Sequence, residues 1–202
     1  MQVLRVGLTG GLATGKSYVG DLLAKRGCYV IRADQLGHQV LAPGGPAYQP
    51  VIQEFGVGIL KEDGTIDRRK LAAEVFRDPA RVQKLNALVH PHVIALEEEL
   101  LAQYAEQHPH GIAVVEAAIL IETGSYRRFH KLIVTYCRPE QQLERALERG
   151  MSLEEAQARL RYQMPMEEKL RLADFVIDTS GSFEETERQV EAVYAELRRL
   201  AG

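Results

Sequence analysis

One run of residues carries the strongest chemistry in the sequence: Gly10-Gly11-Leu12-Ala13-Thr14-Gly15-Lys16-Ser17. It matches the phosphate-binding pattern G-x-x-x-x-G-K-[ST] in full. Each residue type has a mechanical reason. Gly10 and Gly15 permit backbone angles that a side chain would forbid. Backbone N–H groups of Gly11, Leu12, Ala13, Thr14, Gly15, Lys16, Ser17 and Tyr18 can then converge on phosphate oxygens, helped by the dipole of the following helix. Lys16 can reach the β- and γ-phosphates. Ser17 can place its hydroxyl on Mg²⁺. A chain of this composition would produce the pattern by chance about three times in a thousand. The predicted ligands are therefore a nucleoside triphosphate, ATP, and Mg²⁺.

Other polar residues could complete a transfer site. Asp34 follows the apolar run Val30-Ile31, where a parallel strand would end near the phosphate loop. A carboxylate there can take a proton from an acceptor hydroxyl or hold Mg²⁺ through water, or simply cap the next helix. Glu116 ends a second apolar run and can act on Mg²⁺ through water or be an ordinary strand end. Arg138, Arg145, Arg149, Arg159 and Arg161 stud one later segment, and Arg145 and Arg149 share a helix face. Such forks suit transferring phosphates. Glu140, Glu144 and Glu148 equally offer them helical partners, which would make a solvated face. Arg68-Arg69-Lys70 can meet an anionic substrate or merely begin a helix. His90-Pro91-His92 has poor spacing for a metal, and Pro91 predicts a helix end.

These residues need a frame. Val3–Leu8, Cys28–Arg32, Ile112–Glu116, Lys131–Tyr136 and Phe175–Asp178 read as near-continuous apolar strands, which predicts a parallel sheet covered on both faces. Lys16–Arg26 reads as a helix stopped by Gly27. Ser182 with Glu185 forms a capping box for the last helix. Between the second and third strands the pattern predicts helices around Asp34–Leu41, Ala47–Phe55, Arg68–Phe76 and on either side of Pro91. Pro139–Ala173 reads as a second helical insertion, with one helix over Pro139–Arg149 and another from the capping box Ser152-Leu153-Glu154-Glu155. The expectation is one domain: a core of about 1–33, 111–138 and 174–202, an acceptor-binding insertion over 34–110, and a lid over 139–173.

The 202 residues carry 25 basic and 28 acidic side chains, a net charge of −3, which gives no support to a nucleic-acid-coating protein. A chain this long buries roughly 70% of its unfolded surface and needs no disulfide; Cys28 and Cys137 read as two free thiols. No leader pattern stands at Met1–Leu8 and no apolar stretch approaches the ~20 residues of a membrane span. A cytoplasmic monomer that binds neither membrane nor nucleic acid is expected. The guanine-reading N-K-x-D is absent, which argues against a GTPase switch.

The ordered combination of segments resembles the dephospho-coenzyme A kinase family over nearly the whole chain. Gly7–Ser17 is similar to its G-L-T-G-G-I-G-S-G-K-S, and Val30–Asp34 to its D-A-D segment. Asp67–Leu71 with Val75-Phe76 resembles R-x-x-L…V-F, and Leu88–Pro91 resembles L-x-H-P. Gln141–Arg149, Ala158-Arg159, Gln163-Met164-Pro165 and Lys169 resemble the lid, and Ala173–Asp178 resembles A-D-x-V-I-D. The departures are Ala13-Thr14 for G-S, where small residues imply no loss, Arg32 for Asp, Glu116 for Asp, and Thr179 for Asn. The resemblance implies a P-loop kinase that phosphorylates the ribose 3′-hydroxyl of dephospho-coenzyme A. Asp34 would be the general base, and Lys16, Arg145 and Arg149 would stabilise the transferring group. Asp34, Arg69 and the His90 region would hold the acceptor. Another small-molecule P-loop kinase is the alternative, with a nucleotide-dependent switch behind it.

Overall fold

The computed structural model describes residues 3–202; Met1 and Gln2, the first residues of the expected core, lie outside the described residues. Five strands form one sheet: β1 Leu4–Gly10, β2 Tyr29–Arg32, β3 Ile112–Glu116, β4 Lys131–Tyr136 and β5 Phe175–Asp178. Their order is β2-β3-β1-β4-β5 and every pairing is parallel. The α/β architecture predicted from the apolar runs is the one found. Nine α-helices occur among the described residues: α1 Lys16–Lys25, α2 Ala33–Val40, α3 Tyr48–Phe55, α4 Arg68–Val75, α5 Pro79–Gln107, α6 Pro139–Glu148, α7 Leu153–Tyr162, α8 Met166–Leu172 and α9 Phe183–Ala201.

The described chain divides into two compact units, residues 3–32 with 101–202 and residues 33–100. In the first, α1 and α9 cover one face of the sheet. Val19, Leu22 and Leu23 of α1 and Val190, Val193 and Leu197 of α9 bury against Leu4, Val6 and Leu8 of β1. α1 stops where predicted: Gly27 sits at φ +93° and releases the chain into β2. α7 and α9 both begin with complete capping boxes, at Ser152/Glu155 and Ser182/Glu185.

In the second unit, α4 is capped by Asp67, whose side chain accepts from the Arg69 and Lys70 N–H groups at 2.9 and 3.2 Å. Leu36, Val40, Val51, Phe55, Leu71 and Val75 bury its core. One expectation fails here. Pro91 does not end a helix; it lies inside the 29-residue α5. An internal proline removes one N–H from the ladder and crowds the carbonyl four residues before it, at a cost of about 3 kcal/mol that packing must offset. Val93, Glu97 and Leu101 are buried along the helix, so the packing that holds it continues past the proline.

Candidate active site

Strand register assembles the first unit's polar centre. Leu8 of β1 pairs with Glu116 of β3, and Arg32 of β2 pairs with the same Glu116. The ends of β2 and β3 therefore meet beside β1, two residues before the loop that leaves it. The carboxyl ends of central parallel strands are where α/β sheets bind ligands.

The loop itself is tightly determined. A Cβ on Gly10 would stand 2.1 Å from Thr135 Oγ1 and 2.5 Å from Thr14 Oγ1, so only glycine fits. Gly15 takes φ +79° as it hands the chain to α1. Thr14 and Thr135 hydroxyls lie 2.7 Å apart, and Thr14 Oγ1 also donates to the Gly11 carbonyl at 2.9 Å. Ala13 is the one non-glycine residue with positive φ among the described residues, at 55°. The left-handed region costs a residue with a Cβ about 1 kcal/mol, so replacing the resembled family's glycine is not free. Its methyl packs with Ala146 and Ala156 of α6 and α7.

Lys16 and Ser17 open α1 and both reach Glu116. Lys16 Nζ is 3.0 Å and Ser17 Oγ 2.7 Å from Glu116 Oε1. Arg32 Nε donates to Glu116 Oε2 at 3.3 Å, and the same guanidinium pairs with Asp21. Gly20 makes room: a Cβ there would sit 2.8 Å from Glu116 Oε2. Burial pushes the Glu116 carboxyl up, but the Lys16 charge and hydrogen bonds from Ser17, Lys16 and Arg32 outweigh it and hold it below the ordinary glutamate value. Glu116 is thus an ionised, 4% exposed acceptor of three side chains, more than a polar strand end.

Arg145 of α6 does not pair with the glutamates of its own helix. It donates to Thr179 Oγ1 at 3.1 Å and to the Thr179 carbonyl at 2.8 Å. Thr179 Oγ1 in turn lies 2.9 Å from the Thr14 carbonyl of the loop. Arg145, Arg149, Gly15, Tyr18, Thr179 and Phe183 line a cavity of about 640 Å³. Phe183 is 71% exposed and meets Tyr18 edge to face, with ring centroids 5.1 Å apart.

The second unit carries its own cavity, of about 630 Å³. His38, Lys61, Arg68 and Arg69 line it together with Leu41, Pro43 and Ile66. Burial, with Arg68 nearby, lowers the His38 pKa against the opposing charge of Asp34. Asp34 is the second residue of α2 rather than its cap, and is exposed. His90 lies half-buried on α5, outside the residues lining this cavity, with its pKa lowered by burial.

A family model described as dephospho-CoA kinase matches residues 4–185. A dephospho-CoA kinase of Aquifex aeolicus is 44% identical over 96% of this chain and 98% of its own length. A crystal structure from Thermus thermophilus superposes with TM-score 0.81 at 34% identity, covering 98% of this chain and 99% of that one. The dephospho-CoA kinase of Campylobacter jejuni superposes with TM-score 0.70 at 29% identity, over 96% and 97% of the two chains. The chain belongs to the dephospho-CoA kinase family. It is a kinase of the P-loop fold. Among the described residues no helix is long and apolar enough to cross a membrane.

Several residues of this family member gain contacts that sequence reasoning did not assign. Glu122 pairs with Lys169 at 2.7 Å, and Lys169 is fully buried. Gln142 and Gln163 both bond to Leu12. Thr179 joins Arg145 to the loop. Residue type gave no signal for these contacts: Gln142 and Lys169 stand among glutamates in helices of charged composition, and their burial is a property of the fold.

Proposed function

We propose that this chain transfers the γ-phosphoryl group of ATP to the ribose 3′-hydroxyl of dephospho-coenzyme A, the last step of coenzyme A synthesis. The observation that carries the reading is the Lys16–Ser17–Glu116 cluster at the mouth of a complete phosphate loop, in a member of this family. Lys16, drawn from Glu116 onto the β- and γ-phosphates, would neutralise charge there. Mg²⁺ fits the donor set, because Ser17 Oγ and Glu116 Oε1 are hard oxygen ligands, and it would screen the β- and γ-oxygens during transfer.

The cavity beside Gly15 suits the adenosine end. Phe183 offers an exposed ring for the base, and Arg149 an exposed guanidinium near the nucleotide. Arg145 has two donors committed to Thr179, which favours binding nucleotide over contacting the transferring group. Asp34 would accept the proton of the 3′-hydroxyl as that oxygen bonds to the γ-phosphorus. The bond between the γ-phosphorus and the β–γ bridging oxygen breaks, and ADP leaves with the electron pair. In the second unit's cavity, Lys61, Arg68 and Arg69 would meet the acceptor's diphosphate, and Leu41, Pro43 and Ile66 its pantetheine arm. His90 would contribute to the acceptor region from α5. The working form is taken to be a cytoplasmic monomer.

A competition assay tests the reading. ATP, Mg²⁺ and enzyme are mixed with dephospho-coenzyme A, AMP, CMP and shikimate, and products are resolved by mass. One added phosphoryl group on dephospho-coenzyme A alone is expected. Phosphorylation of a rival instead would discard the acceptor while keeping the kinase.

A further inference from the structure

The phosphate loop is held from outside by three polar side chains of the segment spanning α6 to α8. Gln142 Nε2 donates to the Leu12 carbonyl at 2.9 Å. The Leu12 N–H donates to Gln163 Oε1 at 2.8 Å. Lys169 Nζ donates to the Gly10 carbonyl at 3.3 Å. A peptide unit is planar and trans, so fixing its carbonyl fixes the direction of the N–H that follows, and the reverse. These three contacts therefore set three successive units: Gly10–Gly11, Gly11–Leu12 and Leu12–Ala13. The Gly11 and Ala13 N–H groups oriented in this way belong to the loop that would meet phosphate oxygens, while the Leu12 N–H is committed to Gln163.

Lys169 is itself pinned. Its ammonium lies 2.7 Å from Glu122 Oε1 and 3.4 Å from the Ala118 carbonyl, in the connection just after Glu116. Glu122 Oε1 also accepts from the Met164 N–H at 3.1 Å, one residue beyond Gln163. One fully buried charge thus joins the end of β1, the connection after β3 and the turn that presents Gln163. Apolar packing reinforces the clasp: Ala13 buries with Ala146 and Ala156, and Leu12, Leu143 and Met151 pack around them.

We infer that Gln142, Gln163 and Lys169 are positioning residues for the nucleotide. They hold the phosphate loop in its binding geometry, so that ordering it is not charged against ATP binding. This rests on the reading of the loop as the ATP site, and it concerns the nucleotide alone. The acceptor's affinity should not depend on it.

Two double variants test it. Gln142→Met with Gln163→Met removes both bonds to Leu12. Lys169→Met with Glu122→Met replaces the ion pair by apolar groups, a change that buried pairs commonly tolerate because no lone charge is left behind. The binding of ADP is measured by calorimetry, KM for ATP and for dephospho-coenzyme A by turnover, and folding by thermal melting. Two lost hydrogen bonds correspond to about a tenfold weaker nucleotide affinity. The expected result is that loss in the glutamine variant, with the acceptor KM within about twofold of the parent and a cooperative melt lowered by only a few degrees. Nucleotide affinity equal to the parent's in the folded glutamine variant would overturn the inference for Gln142 and Gln163, and the same result in the folded lysine variant would overturn it for Lys169. An equal rise in both KM values would overturn it too, since that marks general loosening. A parent enzyme that binds ADP but does not phosphorylate dephospho-coenzyme A would discard only the acceptor, because the calorimetric comparison needs none.

Discussion

The polar centre of the first unit and the cavity of the second are built on opposite principles. Around the phosphate loop, side chains are buried and committed: Glu116 accepts from three neighbours, Thr14 and Thr135 share a hydrogen bond, and Lys169 has no exposed surface. Strand register fixes where they stand. Around the second cavity, Arg68, Arg69 and Lys61 are exposed, on a short helix and the loop before it. Under the proposed function the contrast separates two tasks. Groups that act on a transferring phosphoryl gain when they are already ordered in a low-dielectric setting. Groups that capture a long, flexible, charged acceptor gain from reach, and lose little when one contact is removed.

The sharpest way to break this contrast is at its most committed end. Lys16→Met should lower kcat/KM by about a thousandfold or more, with the fold intact by circular dichroism; ordinary turnover would remove the first unit from the chemistry. Glu116→Gln should come next. It leaves Lys16 and Arg32 facing a neutral group and should cost about 2 kcal/mol of stability at pH 7 by urea unfolding. The sign follows from the lowered Glu116 pKa: its contribution is fully present above the ordinary glutamate value and is lost as pH falls through the lower native one. The gap between parent and variant should therefore narrow progressively in acid.

On the exposed side the effects should be smaller and selective. Arg69→Ala should raise KM for dephospho-coenzyme A about tenfold and leave KM for ATP within about twofold, in steady-state kinetics. A matching rise in KM for ATP would blur the division between the two sites. The smallest effect belongs to Ala13→Gly. Relief of left-handed strain, about 1 kcal/mol, is offset by a more flexible unfolded chain and a lost methyl contact. The net change in stability should stay under about 1 kcal/mol by thermal unfolding.

The sequence made the contiguous part of this machinery readable. The loop motif needs no partner to be recognised, and five apolar runs predicted five parallel strands. Glu116 could be placed only at a strand end, because what distinguishes it is Lys16 and Ser17 arriving from about 100 residues away. Gln142, Gln163 and Lys169 were harder still. Their partners are backbone atoms of the loop, separated by 130 to 159 residues, and a backbone carbonyl leaves no trace in residue type. Arg145 showed a helical spacing suited to Glu partners, yet its guanidinium turns to Thr179. Pro91 was misread for a different reason: a local rule about proline was set against a long helix whose burial continues past it.

The most direct test of the central claim follows where the phosphoryl group lands. Enzyme, ATP, Mg²⁺ and dephospho-coenzyme A are incubated together and monitored by phosphorus NMR. The account predicts one new phosphomonoester, coupled to the ribose 3′ proton and growing in step with ADP. ADP formed with no new monoester, or a monoester at any other hydroxyl, would contradict it.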